Sequence, residues 1–276
     1  MLKTTPELKI HYTLRIASAM CFFGHGAFGI IGKPIWSNYF AVFGIGHDLS
    51  FQIMPFVGFI DILMGIIILL YPLRAVIIWL IIWGFITALL RPLSGEPFPE
   101  FIERAGNFGA PLALLLFSKG MKTNFKNLFT PFRPNIHLDE KILARVITCL
   151  RIIVFLLFVG HGWLNIMEKK SLVDQYRALG FLDPGEIAQV IGIFEIIGGI
   201  LVLIRPLKSV VLFLFIWKIT SELLYPHYTL FEWIERGGSY GVVLALWYSL
   251  NMIPTIRGNN VSSNSNTLFL NQSLLP

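Results

Sequence analysis

Charge is scarce in this chain of 276 residues: only 14% are Asp, Glu, Lys or Arg, against about 25% in soluble globular domains. Cysteine is scarcer still. Cys21 and Cys149 stand far apart with no C-x-x-C and no second pair, which excludes a disulfide scaffold and a thiolate metal or redox motif. The excess of 22 Lys and Arg over 16 Asp and Glu gives a net charge of +6, but it forms no basic patch on a polar face, so nucleic acid is not an expected partner. Small residues do not follow a short apolar run near Met1, so a retained first span is expected and not a cleaved signal peptide. What is abundant is apolar: 55% of residues are hydrophobic, with 24 Phe and 7 Trp, and the mean hydropathy is +0.70. Such a composition excludes disordered, collagenous and coiled-coil classes and points to an all-α integral membrane protein.

Runs of about 20 apolar residues cross a bilayer as helix, and eight can be placed: 10–31, 51–71, 73–90, 101–117, 142–166, 184–204, 207–224 and 230–250. Segments 35–48 and 169–180 are of mixed polarity and are expected to lie at the interface. Residues 119–141 read as a linker, and 254–276, rich in Asn and Ser, as a disordered polar tail.

An internal repeat organises the rest. Leu14-Arg15-Ile16 and Gly24-His25-Gly26 recur as Leu150-Arg151-Ile152 and Gly160-His161-Gly162, at an offset of 136. Asp61 corresponds to Glu195, Pro72-Leu73-Arg74 to Pro206-Leu207-Lys208 and Trp83 to Trp217 at 134, and Ile102-Glu103-Arg104 to Ile234-Glu235-Arg236 at 132. Each change of offset falls in an expected loop, where deletions are tolerated. The prediction is two tandem four-helix bundles, residues 1–118 and 142–253. Four is even, so both halves run the same way and the repeat is parallel.

Counting Lys and Arg by side gives fourteen with the termini, the turns at 72–74 and 205–208 and the linker, against seven opposite, with Lys218 inside a span. Both termini are therefore expected in the cytoplasm, in a plasma or inner membrane. Arg15 and Arg151 are expected to reach cytoplasmic headgroups.

Ionisable groups inside a span are expensive and mark functional positions by default. His25 falls about two turns from the outer end of its helix, Asp61 near mid-span, Thr87 and Arg91 at the outer end of the third span, and Glu103 and Arg104 at the outer start of the fourth. Their counterparts are His161, Glu195, Ser221, Tyr225, Glu235 and Arg236, and helix seven adds Lys218 and Glu222 at ion-pair spacing. One reading gives each bundle a polar pocket open to the outer leaflet. There a His, a mid-membrane acid and a Glu-Arg pair converge to pass protons to a quinone-like headgroup or to hold a polar solute. Trp83, Thr87, Arg91, Trp217, Ser221 and Glu222 would line it. The other reading makes the same groups buried bridges that lock helices together, with Arg104 and Arg236 snorkelling to headgroups. A metal held by His25, Asp61 and Glu103 has no ligand spacing behind it, and none is expected. Gly24-x-Gly26-x-x-Gly29 lies inside a span and follows no strand, so it is not a dinucleotide loop. Its glycines, with Gly58, Gly65, Gly192, Gly198 and Gly199, are expected at close helix contacts.

The second half resembles the DoxX family of small four-helix membrane proteins. The resemblance rests on Arg151-Ile152, Gly160-His161-Gly162-Trp163, Tyr176-Arg177-Ala178-Leu179-Gly180 and Phe194-Glu195-Ile196-Ile197-Gly198-Gly199. The first half keeps the arginine, the Gly-His-Gly and an acid, Asp61. The resemblance implies a membrane subunit of the kind associated with thiosulfate:quinone oxidation, with Asp61 and Glu195 as the matched acids of helix two. The basic residue that often follows Gly-Trp in that family is absent, since Leu164 and Asn165 follow Trp163, so lysine-dependent chemistry is not expected. No haem, flavin or iron-sulfur ligation pattern is present, so redox chemistry would come from a bound quinone or from a soluble or membrane redox partner. Three functions follow as expectations: a quinone-interacting or redox-associated subunit in contact with membrane lipid, a small-solute or lipid carrier, and a scaffold or assembly factor without catalysis.

Overall fold

Helix starts follow local capping chemistry. Thr5 accepts a hydrogen bond from the Leu8 amide at 3.4 Å ahead of Pro6, and Asp183 accepts one from Glu186 at 3.1 Å ahead of Pro184. In each case the proline occupies the first turn, where its missing N–H costs nothing. The structure, a computed structural model, describes residues 5–118, 125–131, 134, 139–224 and 230–252. The tail 254–276, most of the linker 119–141, and Tyr225 lie outside the described residues.

Among those residues the elements are helical: α1 Pro6–Ile31, α2 Trp36–Ala41, α3 His47–Leu70, α4 Arg74–Leu93, α5 Pro99–Glu103, α6 Ala105–Phe117, α7 Glu140–Ile166, α8 Lys170–Ala178, α9 Pro184–Ile204, α10 Lys208–Leu223 and α11 Leu230–Glu235. A twelfth, α12, runs over 237–252. A short 3-10 turn at Phe125–Phe129 sits beside α4.

Five of these, α1, α3, α4, α7 and α9, are long and apolar enough to cross a membrane. Residues 101–117 do not form one helix: α5 and α6 are broken at Arg104, and α11 and α12 are broken in the same way at Arg236. The 13 residues of α6 and the 16 of α10 span about 20–24 Å at 1.5 Å per residue, short of a bilayer core of about 30 Å. Large apolar side chains such as Phe56, Leu70 and Ile204 are more than 70% exposed on the long helices, the surface expected where lipid is the neighbour.

Lipid tails remove most of the hydrophobic drive for helix association, so close packing of small residues carries it. A Cβ on Gly26 would lie 2.6 Å from the Gly58 carbonyl oxygen, and one on Gly162 2.6 Å from that of Gly192. These contacts seat α1 on α3 and α7 on α9. The halves meet through α5 and α6 against α7, and α11 against α1. At that interface Gly160 abuts the Glu103 backbone, Gly24 abuts the Glu235 backbone, and Gly106 and Gly238 face each other. One apolar core, including Leu14, Phe22, Phe117, Leu150, Leu157 and Leu246, runs through both halves.

Arg15 and Arg151 do not reach outward for headgroups. Arg15 donates from Nε to the Ile68 carbonyl at 2.8 Å and also binds that of Leu69. Arg151 donates to the carbonyls of Val202 at 3.3 Å, Leu203, and Ile204 at 3.1 Å. Each caps the end of α3 or α9, satisfying carbonyls that have no partner within the helix.

Candidate functional site

The glycine-mediated approach of α1 to α3 and of α7 to α9 places a histidine against an acid in both halves. His25 Nδ1 lies 3.1 Å from Asp61 Oδ2, and His161 Nδ1 lies 2.6 Å from Glu195 Oε2. Asp61 is 1% exposed and Glu195 fully buried. Burying either carboxylate requires compensating partners, and the halves supply them differently.

In the second half Glu195 is fully engaged. Trp217 Nε1 donates to its Oε1 at 2.9 Å, and Asn165 Nδ2 to its Oε2 at 3.2 Å. Tyr176, on the amphipathic α8, donates to Asn165 Oδ1 at 2.8 Å, and Gln175 donates to the Ser221 carbonyl at 2.8 Å. These two bonds tie α8 down over the pocket, which His161, Tyr176, Glu195, Trp217, Ser221, Glu222 and Arg236 help to line. In the first half the Asp61 Oδ1 and Trp83 Nε1 atoms are buried and form no hydrogen bond. The histidine there lies against Trp36 of α2, with ring centroids 4.5 Å apart and the planes tilted by 38°. The cleft is lined by His25, Trp36, Tyr39, Trp83, Thr87 and Arg91, with Arg104 and Asn107 beyond them.

Between the halves lies a cluster of charges. Arg104 pairs with Glu100 at 2.6 Å and Glu103 at 3.0 Å, and Arg91 with Glu96 at 3.0 Å and Glu100 at 3.4 Å. Lys169 of the second half reaches Glu100 of the first, while Lys33 of the first lies 3.8 Å from Glu232 of the second. Lys218 pairs with Glu222 at 2.6 Å, as the i and i+4 spacing predicts, and Arg236 binds the same carboxylate. Burial alone would raise the Glu100 carboxyl, but the guanidinium of Arg104, with Lys169 and Arg91, outweighs it and holds the group below the usual carboxylate range. Burial lowers Lys33, against the opposing pull of Glu235 and Glu232. It raises Tyr39, whose hydroxyl donates to Glu96.

The Glu-Arg pairs therefore divide: Arg104 lines the first-half cleft with His25, and Arg236 the second-half pocket with His161 and Glu195, whereas the two glutamates lie against the opposite half. Glu103 packs at Gly160, next to His161, and Glu235 packs at Gly24, next to His25, because each broken fourth helix crosses to the other half. His25, Asp61 and Glu103 consequently do not gather as one ligand set, and among the described residues no three His, Cys, Asp or Glu side chains do so. Cys21 and Cys149 are both free thiols, the first buried. Sequence reasoning missed Trp36, Tyr39, Asn165 and Glu100 as site-shaping residues. Asn165 carried a signal, lying one helical turn after His161 on the same face. Trp36 and Tyr39 sit on a six-residue helix too short to show a period.

No curated protein and no solved structure matches the chain. The match found is to the family model described as DoxX, over residues 146–217, the stretch that carries His161, Glu195 and Trp217. With its long apolar helices that match fits a polytopic membrane protein, and through this segment the chain is DoxX-like.

Proposed function

We propose that the chain is a quinone-interacting or redox-associated membrane subunit, built from two tandem four-helix repeats of eight spans, with Asp61 and Glu195 handling protons beside His25 and His161. The observation that carries this reading is the histidine–acid contact, buried at matched depth in both halves with an indole from the third span beside it. The reciprocal packing supports the duplication. Lys33 to Glu232 and Lys169 to Glu100 are the same contact seen from each half, since 169 − 33 is 136 and 232 − 100 is 132, the offsets of the sequence repeat. An interface that is self-complementary in this way is what two related units make around a two-fold axis.

The placement of basic residues supports cytoplasmic termini in a plasma or inner membrane. The excess of Lys and Arg on the side of the termini, fourteen against seven, is the supporting count.

The residues lining the first-half cleft suit a quinone ring: aromatic walls from Trp36, Tyr39 and Trp83, with His25 and the unpaired Trp83 N–H as polar groups. A bound quinone would supply two-electron, two-proton chemistry. The chain's own part is to hold the ring under α2, to exclude water, and to exchange a proton between His25 Nδ1 and Asp61 Oδ2. A soluble or membrane redox partner would deliver electrons.

The test is the melting temperature of the detergent-purified protein with a panel of quinones, for wild type, Asp61→Asn and Glu195→Gln. A ligand bound only by the folded state raises the melting point, by about 2.7 kcal/mol of stability at a hundredfold excess over Kd. A rise in the wild type that either substitution abolishes is expected. No rise, with both variants folded, would replace this reading with a carrier or a scaffold.

A further inference from the structure

The walls of the two pockets carry different charge. One guanidinium, Arg236, and two carboxylates, Glu195 and Glu222, line the second-half pocket. Two guanidiniums, Arg91 and Arg104, line the first-half cleft, and among the described residues no carboxylate does. Exchanges at matched positions produce much of this difference. At the offset of 134 that relates Trp83 to Trp217, Ala88 stands where the second half has Glu222, and Arg91 stands where it has Tyr225. Asp61, the counterpart of Glu195, binds His25 but is not part of the lining.

The two arginines are held from one side. Arg91 Nη1 donates to Glu96 at 3.0 Å and to Glu100 Oε2 at 3.4 Å, and Arg104 Nη1 donates to the same Glu100 oxygen at 2.6 Å and to Glu103 at 3.0 Å. The shared oxygen sets the guanidiniums side by side. Nε and Nη2 of both make no hydrogen bond among the described residues, and the side chains are 12% and 19% exposed. Both arginines also line the charged cavity between the halves, and Glu103, Glu222, Glu232 and Glu235 border that cavity and not the cleft. An oxygen anion in the cleft therefore meets guanidinium N–H groups before any carboxylate, between apolar walls that screen charge weakly.

The walls fix the rest of the ligand. Trp36, Tyr39, Phe40, Phe43 and Trp83 surround the cleft, which with its open mouth measures about 580 Å³, within the range of about 300–1,000 Å³ usual for small-molecule sites. Water would satisfy the arginines but leave those rings wet, whereas a flat ring covers them and brings its oxygen to the arginines. We propose that the first-half cleft selects a ring carrying an anionic oxygen, of which an acidic hydroxyquinone is the type, and that Arg91 sets this preference. The inference rests on the quinone reading above and adds to it the charge of the ligand and the residue that reads it. The second-half pocket, with two carboxylates in its wall, has no such preference.

The experiment measures dissociation constants by titration calorimetry of the detergent-purified protein at neutral pH. The probes are lawsone, a hydroxynaphthoquinone that is an anion at that pH, its neutral methyl ether, and laurate, an anion without a ring. Lawsone is expected to bind the wild type at least about tenfold more tightly than the ether, the worth of one hydrogen bond between charged groups, and more tightly than laurate. Arg91→Gln should remove the advantage of lawsone over the ether. Arg91→Lys, which keeps the charge and loses the planar fork, should reduce it in part, and carries the test should Arg91→Gln fail to fold. Equal affinity for lawsone and the ether, an advantage unchanged in either variant, or laurate binding as tightly as lawsone would overturn the inference and leave quinone binding standing. Binding of neither ring compound would overturn the quinone reading itself.

Discussion

The two halves set the same histidine, acid and tryptophan at matched places and finish them differently. Around Glu195 every oxygen has a donor, and α8 is hydrogen-bonded over the pocket through Tyr176 and Gln175. Around Asp61 one oxygen and the facing indole are unpaired, and α2 meets the histidine by ring contact alone. A one-methylene difference between two acids thus separates a self-satisfied network from an open one. In a low-dielectric interior a fully satisfied network rigidifies its surroundings, whereas an unpaired buried polar group is costly.

The contrast extends to the two bridges that join the halves, and there the largest effect is expected. Glu100 is 1% exposed and holds Arg104, Lys169 and Arg91, whereas Glu232 is 30% exposed and lies 3.8 Å from Lys33. Removing one partner of a buried ion pair costs about 3–5 kcal/mol, while an exposed pair is worth about 0–1 kcal/mol. Glu100→Gln should therefore lower the detergent melting temperature strongly and Glu232→Gln barely. The pH dependence sharpens this. Because the folded Glu100 carboxyl sits below its ordinary range, its stabilisation is complete above that range and is lost as pH falls through the folded value. The wild type should lose stability on acidification below the ordinary carboxylate range, with a shallower loss in Glu100→Gln. An equal acid limb in both proteins would remove Glu100 from the account.

A second test asks where the halves are alike. Gly24 and Gly160 each touch the backbone of the other half's acid, Glu235 and Glu103. A side chain in either place must push two backbones apart, and overpacking of that kind costs about 1–3 kcal/mol. Gly24→Val and Gly160→Val should lower the melting temperature by similar amounts. A large effect in one and none in the other would break the reciprocity on which the duplication reading rests.

Much of this was legible beforehand, and the parts that were not have a common cause. The long spans declared themselves because α3, α4 and α9 are apolar nearly throughout, and the caps at Thr5-Pro6 and Asp183-Pro184 are local. The pairing of His25 with Asp61 was readable from matched depth. The break at Arg104 was not: Phe101 to Phe117 reads as one span despite Glu103, Arg104 and Asn107, and the break lies where the Glu103 backbone meets Gly160 of the other half. That same crossing sends the glutamate of each Glu-Arg pair to the other half while its arginine stays at the pocket of its own, which no count within one half reveals. The bridge from Lys169 to Glu100 was present as a pair of repeat offsets with Lys33 and Glu232, but two loop residues far apart in sequence give no local sign of contact. The arginines of α1 and α7 looked like headgroup anchors because a sequence does not show which carbonyls lack partners at the ends of α3 and α9.

The smallest expected effect separates the halves most cleanly. Trp217→Phe keeps the ring and its edge contact with Phe194, 5.2 Å between centroids, but removes the donor to Glu195 Oε1. A buried acceptor left unsatisfied costs about 1–3 kcal/mol. Trp83→Phe removes an N–H that bonds nothing and keeps most of the stacking on Trp79, 5.7 Å away. Without ligand, its melting temperature should match the wild type or exceed it slightly, since deleting an unsatisfied buried donor relieves a desolvation penalty. Melting of both variants in ligand-free detergent decides the matter. Equal losses would mean that a donor–acceptor contact is already made in the first half, and the asymmetry that singles out Asp61 as the open site would disappear. A loss confined to Trp217→Phe leaves the unpaired donor and acceptor in the first half, at Trp83 and Asp61.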